Sequence, residues 1–229
     1  MSTEPKPPAP EEIEEGAAVY TRALLAWYDM VALGLVCPLV WGCPRKVMKR
    51  LHDAHVGERH LDLGPGTGFF LRKCRWPVAA PRVVLVDLNA QVLRKASRKL
   101  RAFNPKAVRR DVLQPLDLGD EQFDSVGMNM LLHCIPGGMH YKAKVFDQVL
   151  PYLAPGGRIF GATVLSEGVD HRKAAPKFLE QVNNDGIFHN RGDSLDQLDA
   201  ELSARFDDYE LTSRGSMGIF SVRVPGGTR

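Results

Sequence analysis

The sequence predicts an α/β protein whose doubly wound, mostly parallel sheet carries helices on both faces. Three observations predict it: five short apolar runs alternating with helical patterns, a glycine-rich turn directly after the first run, and two period-two segments near the chain's end. With 229 residues, 44% hydrophobic and 25% charged, the composition is that of an ordinary soluble protein with one sizeable core. A single domain over residues 11–229 follows. The net charge of +3 is too weak to argue for a nucleic-acid partner.

Residues 1–10 are proline-rich and without an apolar stretch, which reads as a disordered leader and not a signal peptide. Residues 11–55 read as a helical lid: Ala17, Tyr20, Leu24, Leu25, Tyr28 and Val31 recur at three- and four-residue spacing, and Pro44 can open a second helix ending near Leu51. The longest apolar run, Val31 to Trp41, is too short to span a bilayer and carries Pro38. No membrane partner is expected. Residues 56–165 hold the five apolar runs. The first passes through Leu61-Asp62-Leu63 into Gly64-Pro65-Gly66-Thr67-Gly68, a turn whose glycines admit left-handed backbone and close ligand approach.

The second run, Arg82 to Asp87, ends in a carboxylate nineteen positions after Gly68. Asn89 can cap the next helix, with Val92, Ala96, Leu100 and Phe103 inward and a basic run outward that reads as a solvated face. The third run, Lys106 to Arg110, leads into Asp111 and Val112, and the fourth, Phe123 to Asn129, into a loop carrying His133 and Cys134. A helix from Val145 to Leu153 should stop at Pro155-Gly156-Gly157 before a fifth strand from Arg158 to Leu165. In residues 166–205 the alternation stalls, which suits a substrate-facing insertion; a helix is expected near Ala174–Val182 and another from a Ser194/Gln197 capping box to Ala204. Residues 206–224 read as a hairpin. The four cysteines, Cys37, Cys43, Cys74 and Cys134, form no C-x-x-C pair, which argues against zinc or a disulfide framework and for a reduced, cytoplasmic setting.

The glycine spacing is G-x-G-x-G, not the G-x-G-x-x-G of dinucleotide sites, and Asp62 before it would repel a pyrophosphate. Asp62-x-Gly64-x-Gly66-x-Gly68 followed by Asp87 resembles the opening motifs of class I S-adenosylmethionine-dependent methyltransferases. The resemblance covers roughly residues 58–165 and 206–224. It implies the strand order 3-2-1-4-5-7-6 with strand 7 antiparallel, S-adenosyl-L-methionine as cofactor, and an EC 2.1.1 activity. The glycines and Asp62 would receive the cofactor's cationic end, Asp87 and Leu88 its ribose, and Asp111 with the Val112 amide its adenine. Asn129 would stand at the mouth of the fourth strand. Tyr20 and Tyr28 of the lid would close over the cofactor, and Trp41 would reach the substrate. Base- and glutamine-methylating families carry Asn or Asp followed by Pro-Pro-aromatic here, whereas this chain has Asn129-Met130-Leu131-Leu132. A small organic acceptor is implied, methylated on oxygen, nitrogen or carbon, in specialised metabolism.

Displacement at a sulfonium methyl needs alignment and exclusion of water, not a metal or a covalent intermediate. A hydroxyl acceptor must still lose a proton, and His133 is the expected general base. His140, Tyr141, His189 and Arg191 are further candidates for touching substrate, Arg191 as a carboxylate partner. A nicotinamide-dependent oxidoreductase, an aminopropyl transferase and a non-catalytic cofactor-binding module remain as other readings, and the protein is expected as a monomer or homodimer.

Overall fold

A computed structural model of the chain describes residues 31–226. The strands are β1 (Arg59–Leu63), β2 (Arg82–Asp87), β3 (Lys106–Arg109), β4 (Phe123–Asn129), β5 (Leu153–Val164), β6 (Tyr209–Arg214) and β7 (Met217–Arg223). They form one seven-stranded sheet in the order β3-β2-β1-β4-β5-β7-β6. The pairs from β3 to β5 are parallel, while β7 runs antiparallel to both β5 and β6. The expected order and the reversed seventh strand are therefore both present.

Seven helices flank the sheet among the described residues: α1 (Arg45–His55), α2 (Phe69–Lys73), α3 (Ala90–Lys99), α4 (Met139–Lys142), α5 (Lys144–Val149), α6 (Ala175–Asn184) and α7 (Leu195–Ser203). The continuous apolar run Val83–Val86 explains how both sheet faces are covered. Val83 and Leu85 pack in a cluster with Leu71 of α2 and Leu93 and Ala96 of α3, while Val84 and Val86 belong to the larger cluster on the other face, which includes Phe146 and Val149 of α5. The Asn89 side chain accepts from the Gln91 and Val92 amides and so starts α3. Ser194 and Gln197 make the expected reciprocal capping box at α7.

On β1, His60 and Asp62 share the face opposite Leu61 and Leu63. Both are buried. His60 Nδ1 lies 2.8 Å from Ser125 Oγ and its Nε2 3.2 Å from Asp62 Oδ2. The neighbouring strand makes room with Gly127, where a Cβ would stand 2.8 Å from Asp62 Oδ2. A polar pair is thus sunk into the sheet on the strand that leads directly into the glycine turn.

Two expectations shift. The helix before the fifth strand ends at Val149, followed by a tight turn over Leu150–Tyr152, and β5 already begins at Leu153. Pro155-Gly156-Gly157 lies inside that strand as a bulge, because Phe123 pairs with Leu153 and Ser125 with Arg158. Gly156, at φ +76°, absorbs the extra residues. Before α1, Ala32–Val36 forms a π-helical turn running into a helical turn at Cys37–Leu39. The leader, Tyr20, Tyr28 and most of the lid segment lie outside the described residues.

The stretch 166–205 is stitched to the sheet. Asn190 donates to the Val164 carbonyl at 2.9 Å and is held by Asn183. Lys142 of α4, fully buried, donates to the His189 carbonyl at 2.9 Å and to the Asp193 carboxylate. Burial pushes both members of this ion pair towards their neutral forms, so it is retained only while each compensates the other. Asp193→Ala should therefore destabilise the protein by about 3–5 kcal/mol, read as a lowered denaturation midpoint in urea; a change near zero would show that the pair does not hold this stretch.

Candidate functional site

The cavity lies at the carboxyl ends of β1, β2 and β4, where the strand order reverses direction around β1, the usual ligand position in a doubly wound sheet. Gly64 and Gly66 line it. Gly66 has φ +54°, and a Cβ there would meet nothing within 4 Å, so its position is dictated by backbone conformation and open space for a ligand. Gly68 caps α2 at φ +72° and does not line the cavity; a Cβ there would stand 3.3 Å from Leu100, so it lets α2 approach α3.

Asp87, at the last position of β2, lines the cavity and takes the Asn89 amide at 2.7 Å on Oδ1. Burial raises its carboxyl to about 7, the Asn89 hydrogen bond opposes that rise, and Asp62 adds to it. Leu88 and Asn89 follow it along the wall. Asp111, just beyond β3, lines the cavity and accepts from the Leu113 amide at 2.9 Å, with Val112 beside it. Asn129, at the last position of β4, is 9% exposed, and neither atom of its amide has a partner among the described residues. A buried amide left unpaired costs free energy unless a ligand completes it. Next to it, Met130 lines the cavity at φ +63°, a left-handed conformation that is unusual for a residue with a side chain and is held by its amide bond to the Ala162 carbonyl at 2.7 Å.

The opposite part of the cavity is apolar. Leu33 from the π-helical turn, Phe69 and Phe70 at the start of α2, and Met130, Leu131, Ile135 and Pro136 after β4 form it. None of these apolar side chains could be assigned from motif spacing; the available signal was proximity to the glycine turn or to the end of β4 and, for Leu33, its place in the apolar run Val31 to Trp41. Thr67, Val92, Leu113 and Cys134 also line the cavity without having been expected there.

Several expected residues lie elsewhere. Asp62 is 4% exposed, bonded to His60 and absent from the lining. His133 is 1% exposed, lies behind the wall, and packs on Phe188 with ring centroids 4.2 Å apart. Its Nδ1 accepts from the Val164 amide at 3.2 Å and faces Thr163 Oγ1 at 3.1 Å, so the neutral ring carries its proton on Nε2. Burial, with Lys142 nearby, lowers it to about 3. His133 is thus a packing residue and not the expected base. Trp41 is buried between Phe178 and Phe188, because the turn at Gly42 directs the indole into the core beneath α6.

His140 is exposed and paired with Glu201 at 2.8 Å. Tyr141 sits under the Lys144 ammonium at 4.9 Å, close enough to Asp111 to feel its charge but outside the lining. Arg191 is exposed and bonded to Asn184 at 2.6 Å. The His189 carbonyl and amide are engaged by Lys142 and the His133 carbonyl. No residue of the stretch 166–205 lines the cavity; Asn190 and Asp193 tie it to the end of β5, and Leu179, Val182 and Phe188 belong to the cluster that includes Leu33, Phe69 and Met130.

A carboxyl whose folded value of about 7 stands above the unfolded value of ~3.9 favours the folded state fully only below that lower value, and the benefit is lost as pH rises through 7. Asp87→Asn should accordingly raise the melting temperature of the ligand-free protein by a few degrees near pH 8, with the gain shrinking towards pH 5. A scanning-calorimetry series showing a pH-independent difference would mean that burial does not penalise this carboxylate.

The family model described as a methyltransferase domain matches residues 61–159. Over 210 residues the chain is 38% identical to the demethylluteothin O-methyltransferase of Streptomyces thioluteus, covering 92% of this chain and 91% of that protein. It is 34% identical over 214 residues to a physcion biosynthesis cluster O-methyltransferase of Aspergillus chevalieri, covering 93% and 96%. Among solved structures, a DhpI–SAH complex shares the fold at a TM-score of 0.64 and 20% identity, over 96% of this chain and 100% of that one. Two carboxylates and an unpaired amide around a glycine turn, together with these full-length relatives, place the chain in the class I S-adenosylmethionine-dependent methyltransferases that act on small molecules.

Proposed function

We propose that this methyltransferase transfers its methyl group to a hydroxyl oxygen of a small organic molecule. The observation that carries the reading is the polar half of the cavity: Asp87 and Asp111 offer carboxylate acceptors, and Asn129 offers an unpaired amide, beside the open backbone at Gly66. These groups suit a ligand with diol, amine and adenine edges, and the two carboxylates would repel a pyrophosphate. Oxygen is favoured by the two O-methyltransferase relatives described above.

When bound, S-adenosylmethionine supplies an electrophilic methyl on a sulfonium leaving group. The residues of this chain have a narrower task. Asp87 accepts hydrogen bonds from the ribose hydroxyls, Asp111 and the Val112 amide address the adenine, and Asn129 satisfies its own amide on the cofactor. Phe69, Phe70 and Leu33 keep water from the acceptor side. The domain division into lid, core, insertion and hairpin, a reduced cytoplasmic setting, and a monomeric or homodimeric enzyme without nucleic-acid partners complete the proposal. Four free thiols support the reducing compartment, and burial pushes Cys37 and Cys74 up to about 12 and Cys43 to about 11.

Asp87→Ala should weaken S-adenosylmethionine binding by about 1–3 kcal/mol, and wild-type affinity in calorimetry would remove Asp87 from the site. Because the hydroxyls favour the ionised carboxylate, affinity of the unaltered protein should fall as pH drops below about 7. The activity itself is tested with methyl-labelled S-adenosylmethionine and a fractionated host extract. Label on an oxygen of a small product is expected, and label only on nitrogen or carbon would overturn the oxygen assignment.

A further inference from the structure

We propose that the acceptor is a flat, apolar hydroxy compound whose hydroxyl is acidic enough to enter as its anion, so that solvent and not a side chain takes the proton. The inference deepens the oxygen-methylation reading and rests on it.

The cavity is graded across the sheet. Its carboxylates stand at the ends of β2 and β3, on one side of β1, whereas Phe69, Phe70, Met130 and Leu131 stand at the ends of β1 and β4. Leu33 approaches the second group from the π-helical turn, and Phe69, Phe70, Met130 and Cys134 continue into the buried cluster beneath that turn. The acceptor half therefore rewards an apolar frame; Phe69 and Phe70, 5.3 Å apart and perpendicular, present ring surfaces suited to a planar one. Among the described lining residues there is no lysine, arginine or histidine, so none of them would pair with a carboxylate or phosphate on the acceptor.

Among the described residues, the titratable groups around this half come from several neighbouring elements. Asp87 of β2, Asp111 after β3 and Cys134 after β4 line the cavity. Behind the wall stand Asp62 of β1, His133 after β4 and Tyr141 of α4, with His52 of α1 stacked on Phe70 at 5.1 Å. Arg45 of α1 lies 5.3 Å from the Phe69 ring centre. The two lining carboxylates belong to the cofactor end. His133 uses Nδ1 to accept from Val164, and His52 donates from Nδ1 to its own helix carbonyl at Met48. Both rings are buried outside the lining, so neither is placed to take a proton from the acceptor. An ionised oxygen needs none: it gives its electron pair to the methyl carbon as the carbon–sulfur pair returns to sulfur, its proton having gone to water beforehand. Loss of the anion's hydration in the apolar half is offset by the cation it meets there.

The test uses three bicyclic probes of similar size: 2-hydroxy-1,4-naphthoquinone, strongly acidic; 2-naphthol, weakly acidic; and 2-naphthylamine. kcat/KM is measured from about pH 6 to 9 with saturating S-adenosylmethionine. The visible spectrum of the quinone is also recorded on protein loaded with an unreactive ammonium analogue of the cofactor, which reads ionisation without turnover. The expected result is a flat profile for the quinone, a profile rising about tenfold per pH unit for the naphthol, and an anion spectrum for the bound quinone. Asp87 would contribute equally to both profiles and cannot separate them. One shared midpoint, or a neutral bound quinone, would overturn the inference while leaving oxygen methylation standing. A shared midpoint that vanishes in Cys134→Ala would assign the proton to that thiol instead. Methylation of the naphthylamine alone, or of none of the three, would remove the oxygen reading and the inference together.

Discussion

A half-buried carboxyl group at the end of β2, with no cation to meet it among the described residues, is the constraint around which the site is arranged. Parallel strands bring Asp87 to the same edge as the glycine turn, and one amide hydrogen bond from Asn89 is all that the described residues give its Oδ1. Desolvation holds the group near neutrality on the pH scale, so the ligand-free protein tolerates a destabilising residue for the sake of binding. Asn129, across β1, is in the same position with an uncharged amide. In the proposed function both would be compensated by one ligand that carries several donors and acceptors in a fixed arrangement.

The sheet makes that arrangement possible by what it omits. Gly127 has no side chain, which leaves space for the His60–Asp62 pair on the adjacent strand. The pair is held from below by Ser125, itself bonded to the Gly57 amide. Asp62 thus acts on the cavity through its charge, raising Asp87 further, and not by contact. At the end of β4 the chain turns through the left-handed Met130, and this turn carries Leu131, Ile135 and Pro136 over the apolar half.

Most of the fold was legible in the sequence because its signals are local and repeated. Apolar runs at strand length, a glycine turn, the Asn89 cap and the Ser194 box each specify their own element. Strand order came from the resemblance, not from any periodicity. In the site, Asp87, Asp111 and Asn129 were legible because they sit at strand ends, where position along the chain nearly determines position in space. His133 was not, since a residue one step beyond Leu132 in a tight turn can face either side, and the Val164 amide decided the matter. Trp41 and the stretch 166–205 failed for the same kind of reason. Their direction depends on distant partners, Phe178 and Phe188 in one case and Lys142 in the other, which no short window contains.

The ion pair between α4 and Asp193 has a consequence for how such an enzyme diversifies. Because that stretch is anchored in the interior by groups that tolerate little change, it is a poor place to rewrite acceptor preference. The helical approach through Leu33 carries no such ion pair among the described residues, and it borders the half of the cavity away from Asp87 and Asp111. New chemistries can be sampled there by changing bulk and contour, while the machinery that receives the methyl donor is inherited intact.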